Sequence, residues 1–175
     1  MRLDRAWIES SIPHQGRMCL LDEIVRWDAD RITCRSSSHR AADNPLRARG
    51  KLGIACGVEY AAQAMAVHGA LVAEALTAAS PNAGLSAAGS AAAGSPAAGS
   101  PTAGLPAAGF LAGVRGVRFH VFRLDDVQGD LICDALRIAG DRGTALYEFE
   151  LRSGEARLLS GRATVVFDAN KRLQL

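Results

Sequence analysis

The chain reads as an α+β protein in which an antiparallel sheet curls around one long central helix. Apolar residues recur at spacings of three and four over about residues 55–76, which is the period of a helix. On either side of that segment, shorter runs alternate with period two and end in turn residues, as half-buried strands do. Strands on both sides of a single apolar helix imply a sheet that wraps it.

Taken in order, an N-terminal segment occupies about residues 3–11. A strand is expected from Met18 to about Trp27, a turn at Asp28-Ala29-Asp30, and a second strand from Ile32 to Ser38. Residues 39–53 form an irregular loop that carries Asn44-Pro45 and Gly50. The helix is expected from about Ala55 to Leu76, its apolar stripe made of Ile54, Val58, Ala62, Met65, Gly69, Val72 and Leu76. Residues 78–108 carry no charge and cycle through alanine, glycine, serine and proline, as in Ser95-Pro96-Ala97-Ala98-Gly99-Ser100-Pro101. Repeated glycine and proline interrupt any helix or strand, so this is a low-complexity insertion, expected as a disordered loop. A single domain then consists of residues 1–77 together with 109–175. Its second part holds strands Phe110–Val121, Gly129–Ile138, Thr144–Leu151 and Leu158–Phe167. Turns fall at Gly140-Asp141-Arg142-Gly143 and Arg152-Ser153-Gly154-Glu155. Such a sheet with one helix leaves an edge to cover, so a dimer or higher oligomer is expected.

Composition narrows the function. The 175 residues are 49% hydrophobic and 22% charged, which suits one water-soluble domain. A formal charge of +2 with only 5% aromatic residues gives neither the electrostatics nor the stacking platform for nucleic acid. No span of 18 apolar residues has membrane character. The opening Met1-Arg2-Leu3-Asp4-Arg5-Ala6-Trp7-Ile8-Glu9 has acids where a secretory leader is apolar, and a cytoplasmic location is expected. Cys19, Cys34, Cys56 and Cys133 are widely spaced with no CxxC pair, so no zinc site or disulfide framework is expected, and no cofactor. Cys56 stands apart because a thiol beside a helix start can have a lowered pKa.

Glu59 is the strongest candidate for chemistry. It lies in Cys56-Gly57-Val58-Glu59-Tyr60-Ala61-Ala62-Gln63-Ala64-Met65-Ala66, an otherwise apolar stretch, with Gln63 one turn on. A carboxyl in apolar surroundings shifts its pKa or finds a partner, and either makes it a candidate acid or base. His39 begins the loop at residues 39–53, where Arg40 beside it would lower its pKa, and His14 follows a proline in the N-terminal segment. His68, nine residues after Glu59, and His120, alternating within a strand, read as structural. Arg40, Arg47, Arg49 and Lys51 form a cationic run that is either a solvated surface or a dock for acidic groups.

The ordered motifs resemble the hot-dog fold, and within it the 3-hydroxyacyl-acyl carrier protein dehydratases. Ile12-Pro13-His14-Gln15-Gly16-Arg17-Met18-Cys19-Leu20-Leu21-Asp22 looks like that family's opening Leu-Pro-His…Leu-Leu-Val-Asp, and Val58-Glu59-Tyr60-Ala61-Ala62-Gln63-Ala64 like its helix motif. Phe110 to Phe119, Gln128-Gly129-Asp130-Leu131 and Gly161-Arg162-Ala163-Thr164-Val165 resemble its later strands. The helix is most similar to that of the dehydratase-like proteins of aryl-polyene-type clusters.

The resemblance implies syn elimination of water from a 3-hydroxyacyl thioester: a histidine takes the C2 proton while the helix carboxyl helps expel the C3 hydroxyl. Glu59 matches that carboxyl, with a pKa expected to be raised toward neutrality. Gly57 and Val58 would supply the helix N-terminus that polarises the thioester carbonyl, and Gln63 would orient the acid. The family's loop histidine has no counterpart, since Gly50-Lys51-Leu52-Gly53 stands in its place; His14 and His39 are the available substitutes. Asn44, Arg47 and Lys51 are candidate substrate contacts, the cations toward the acyl carrier protein or its pantetheine phosphate. Three classes follow: a dehydratase of fatty-acid or polyene-type biosynthesis, an acyl thioesterase using the carboxylate, or a non-catalytic partner subunit that completes a heterodimer with an active paralogue. The assembly itself is expected to be a homodimer or a heterodimer with a related subunit.

Overall fold

The computed structural model describes residues 3–78, 109–141 and 143–167. The low-complexity insertion, from residue 79 onward, lies outside the described residues, as does the chain beyond 167. Among them, one helix and six strands make the body of the fold. A short helix, α1 (Arg5–Ser11), is capped by Asp4, which accepts the Trp7 N–H. It is followed by a 3-10 turn (Gly16–Met18), then β1 (Glu23–Trp27) and β2 (Arg31–Ser36). Two further 3-10 turns, Ser38–Arg40 and Ile54–Cys56, lead into α2 (Gly57–Ala78). After the insertion come β3 (Gly109–Phe119), β4 (Leu131–Gly140), β5 (Thr144–Ser153) and β6 (Ala156–Phe167). All pairings are antiparallel, in the order β1-β2-β4-β5-β6-β3.

Two expectations from the sequence are corrected. Met18–Asp22 is not part of β1: apart from the Asp22 N–H, which donates to the Arg35 carbonyl of β2, its main chain bonds to side chains and to the preceding turn. The Leu20 N–H donates to Gln63 Oε1, the Leu20 carbonyl accepts from Ser36 and Ser38, and the Met18 carbonyl accepts from Gln63. The helix stripe is also displaced. Buried on α2 are Gly57, Tyr60, Ala61, Gln63, Ala64, Met65, Val67, His68, Ala70 and Leu71, whereas Leu76 is exposed. Period alone could not place that face, because Gln63 and His68 lie on it and are polar. Burial is tolerated because both are bonded. The Asp28 carbonyl only accepts, so His68 donates to it from Nε2 (2.9 Å) and accepts from the Tyr147 hydroxyl at Nδ1 (2.9 Å).

The sheet sits close to α2 at its start. A Cβ on Gly57 would lie 2.6 Å from Leu159 and 2.9 Å from Leu151, both buried, so only glycine admits this approach. Along β4 and β5, Leu131, Cys133, Ala135, Tyr147, Phe149 and Leu151 point to the helix and their alternates point to solvent.

Burial lowers the pKa of His68, and the Arg137 charge adds to this against the bond to Asp28; burial lowers His39 likewise. Both are neutral in the fold, while an unfolded chain protonates its histidines below about pH 6.5. The unfolded state then binds more protons, so stability is full above that pH and falls as pH drops through it. Urea midpoints should therefore be lower at about pH 5.5 than at about pH 7.5, with His68→Gln removing part of the difference.

Candidate active site

α2 begins without a break from the Ile54–Cys56 turn, and its first turn carries Glu59. From the N-terminal segment, His14 approaches that carboxylate, Nε2 to Oε1 3.1 Å. Gln63 donates to the same Oε1 at 3.0 Å, the geometry expected of residues one helical turn apart. Oε1 can only accept, so His14 carries its proton on Nε2; its Nδ1 is buried without a partner. Glu59 Oε2 takes no hydrogen bond among the described residues, and the side chain is 32% exposed. The trio thus presents one open oxygen.

Its ionisation corrects the expectation of a raised pKa. Burial does push Glu59 up, but the bonds from His14 and Gln63 and the His14 charge together hold it below the ordinary carboxylate value. Glu59 is a carboxylate at neutral pH, the form of a base or nucleophile.

Gln63 is completely occupied. Besides Glu59 it donates to the Met18 carbonyl at 2.8 Å and accepts the Leu20 N–H at 2.9 Å, tying the segment before β1 to the helix. Gly57 gives its N–H to the carbonyls of Ile54 and Ala55, continuing the helical ladder. Val58 is half-buried against the core.

The other candidates are placed apart from this carboxylate. His39 is fully buried, donates from Nε2 to the Val127 carbonyl at 3.1 Å, and leaves Nδ1 without a partner. Burial and then Arg40 lower its pKa against the bond to Val127. Asn44 donates to the Ser38 carbonyl and the Tyr60 hydroxyl, both at 2.9 Å, and accepts from Leu46, so its amide holds the loop. Arg47 binds the carbonyls of Ala41, Gly50 and His39 and the Asp125 carboxylate. Arg40 is held by Asp130 and the Gln128 carbonyl, so of the cationic run only Arg49 and Lys51 make no ion pair among the described residues. Cys56 departs from its expectation: burial raises its thiol pKa, outweighing nearby N–H groups.

Sequence reasoning passed over the Tyr60–Ser38–Asn44 cluster and Asp125. Asp125 accepts from Arg123, Arg47 and the Leu52 N–H; the Arg123 bond, and after it that from Leu52, hold its carboxyl well below the usual range against the effect of burial. Tyr60 adjoins Glu59 in the helix motif, which was the available signal; Asp125 joins Leu52 across 73 residues, which no local pattern shows.

A six-stranded antiparallel sheet wrapped on one helix, with a carboxylate on the helix's first turn, defines a hot-dog protein. In sequence, residues 6–88 match the family described as ApeP-like, ApeP dehydratase, a stretch that includes His14, His39, Asn44, Glu59 and Gln63. The dehydratase heterocomplex ApeI:P from Xenorhabdus doucetiae is similar in structure, with a TM-score of 0.72 at 18% identity over 95% of this chain and 93% of that one. AziG from S. sahachiroi follows with a TM-score of 0.52 at 12% identity over 83% of this chain and 89% of that one. A thioesterase from Pseudomonas aeruginosa has a TM-score of 0.50 at 12% identity over 82% of this chain and 78% of that one. At these identities the likeness is one of fold. No curated protein matches the sequence. No helix among the described residues is long and apolar enough to cross a membrane.

Gln63→Leu should leave the buried Leu20 N–H unpaired, at a cost of about 1–3 kcal/mol. It should appear as a lower urea midpoint, with Glu59→Gln destabilising less because Gln63 keeps its two main-chain bonds.

Proposed function

We propose that this chain dehydrates 3-hydroxyacyl thioesters carried on acyl carrier protein, in fatty-acid or polyene-type lipid biosynthesis, paired with a second hot-dog subunit. The observation that carries the reading is the Glu59 carboxylate, anchored through Oε1 by His14 and Gln63 and open at Oε2. Oε2 takes the C2 proton; the freed electron pair forms the C2–C3 double bond as the C3–O bond breaks. The same carboxyl returns its proton to the departing hydroxyl, so water and an enoyl thioester leave and the carboxylate is restored. His14 and Gln63 are positioning residues in this scheme, and His39, enclosed behind the loop, supports the fold.

Burial is the largest influence on Glu59 and acts upward. An acyl chain that excludes water strengthens it, making the carboxyl a better proton carrier than in the free protein. A partner is supported by β3, an 11-residue edge strand with Phe110, Leu111, Val114 and Phe119 exposed, followed by Phe122 at 93% exposure. An unpaired apolar edge of this length is a template for another chain. The similar ApeI:P structure is itself a heterocomplex. Charge on Glu59 at neutral pH also favours a second reading, thioester hydrolysis with the carboxylate as base or nucleophile.

Purified protein, alone and with its hot-dog partner, should be assayed with a 3-hydroxyacyl-acyl carrier protein for both enoyl product and free thiol. Enoyl formation should fall by about 10²–10⁴-fold in Glu59→Gln. Thiol release instead would select hydrolysis, and an unaffected rate in Glu59→Gln would overturn both. His14→Ala removes one of the influences that lower Glu59. Its acidic pH limb should therefore move to higher pH, a displacement that a merely structural role would not produce.

A further inference from the structure

The solvent face of the sheet, opposite the side that packs on α2, holds an open cleft of about 870 Å³. Its lining includes seven arginines against three carboxylates, a net +4 on a chain whose formal charge is +2. The charges are ordered. Asp134, Glu148 and Glu150 lie on the central strands β4 and β5, while most of the arginines stand toward the two margins. Three pairs are satisfied internally: Arg152 with Asp134 at 3.2 Å, Arg157 with Glu150 at 2.7 Å, and Arg162 with Glu148 at 2.6 Å. Arg26, Arg31, Arg115 and Arg118 have no carboxylate within 4.0 Å among the described residues.

Two features of β3 show that this excess is built in. Residues three apart on an unbroken strand face opposite sides of the sheet. Arg115 and Arg118 nevertheless line the same cleft, because the β3–β6 register shifts between them, at Gly116, whose φ of 61° suits glycine. Arg115 also stands directly opposite Arg162, whose charge Glu148 already takes, so Arg115 keeps a like-charge neighbour and no carboxylate of its own among the described residues.

We propose that this face docks a partner protein through a carboxylate-rich surface. A second copy of the chain is repelled, net +4 against net +4. Nucleic acid is disfavoured by the three floor carboxylates and by the absence of a stacking platform, the one aromatic in the lining, Phe149, being only 3% exposed. A mixed-charge protein surface with excess carboxylate satisfies both the unmatched arginines and the paired floor. The proposal is independent of the chemistry at Glu59.

The test is fluorescence anisotropy of the full chain with a labelled glutamate-rich helical peptide and, separately, a single-stranded oligonucleotide of equal charge. The peptide should bind more tightly and weaken with added salt. The double variant Arg115→Ser, Arg118→Ser should lose at least about tenfold in affinity, whereas Arg17→Ser, Arg49→Ser, which removes the same charge elsewhere, should not. Arg31→Ser, on the opposite margin, gives the same reading if the double variant does not fold. Preference for the oligonucleotide, equal losses in both double variants, or no peptide binding would overturn the proposal.

Discussion

The amide of Gln63 makes three bonds, using both N–H donors and its oxygen. One N–H holds Glu59, the other the Met18 carbonyl, and its oxygen takes the Leu20 N–H. That amide converts two separate pieces of chain, the stretch before β1 and the first turns of α2, into one site. His14 lies on the chain leading into that stretch, and its approach to Glu59 depends on where residues 18–20 are held. A carboxamide suits the position because it donates and accepts at once without titrating, so its two main-chain bonds do not depend on pH even though its third partner, Glu59, is ionisable.

A second set of bonds keeps the loop between β2 and α2 against the same helix. Asn44 and Ser38 converge on the Tyr60 hydroxyl, and Arg47 joins the loop to Asp125, whose oxygen also takes the Leu52 N–H. Tyr60 directly follows Glu59, so the loop is fastened one residue from the candidate reactive group. Beneath them, the glycine at 57 lets Leu151 and Leu159 close on the helix start. The carboxylate is positioned by packing from one side and by hydrogen bonds from two others, leaving one direction open.

Much of this architecture was legible in the chain. Period-two runs flanking a helical one placed all six strands, most cleanly β4 and β5, where one face is buried and the alternation follows from the pleat. Glu59 and Gln63 stood out since polar side chains in an apolar helix need partners, and the structure supplies them four residues apart. What was not legible has a common cause. Met18 to Asp22 reads like a strand, yet the Leu20 N–H and the Met18 and Leu20 carbonyls are taken by Gln63, Ser36 and Ser38, partners distant in sequence. The ionisation of Glu59 depended on His14, whose distance from it is set by the tertiary fold. Composition read +2 as too little for nucleic acid, but a net charge says nothing of segregation, and the outer face concentrates arginines that the sum conceals.

The two buried imidazole nitrogens without partners, Nδ1 of His14 and of His39, follow from the same logic. In each ring Nε2 carries a proton toward an oxygen that can only accept, Glu59 Oε1 in one and the Val127 carbonyl in the other, and Nδ1 faces no partner. The two rings differ in their exposure. His14 is 31% exposed and rests on a carboxylate that is itself open, so a ligand can rearrange the pair. His39 is enclosed on all sides and held by main chain, so its movement would require the loop to open. The sequence named both as substitutes for the missing loop histidine, and the surroundings separate them: one can respond to substrate and the other keeps the loop in place.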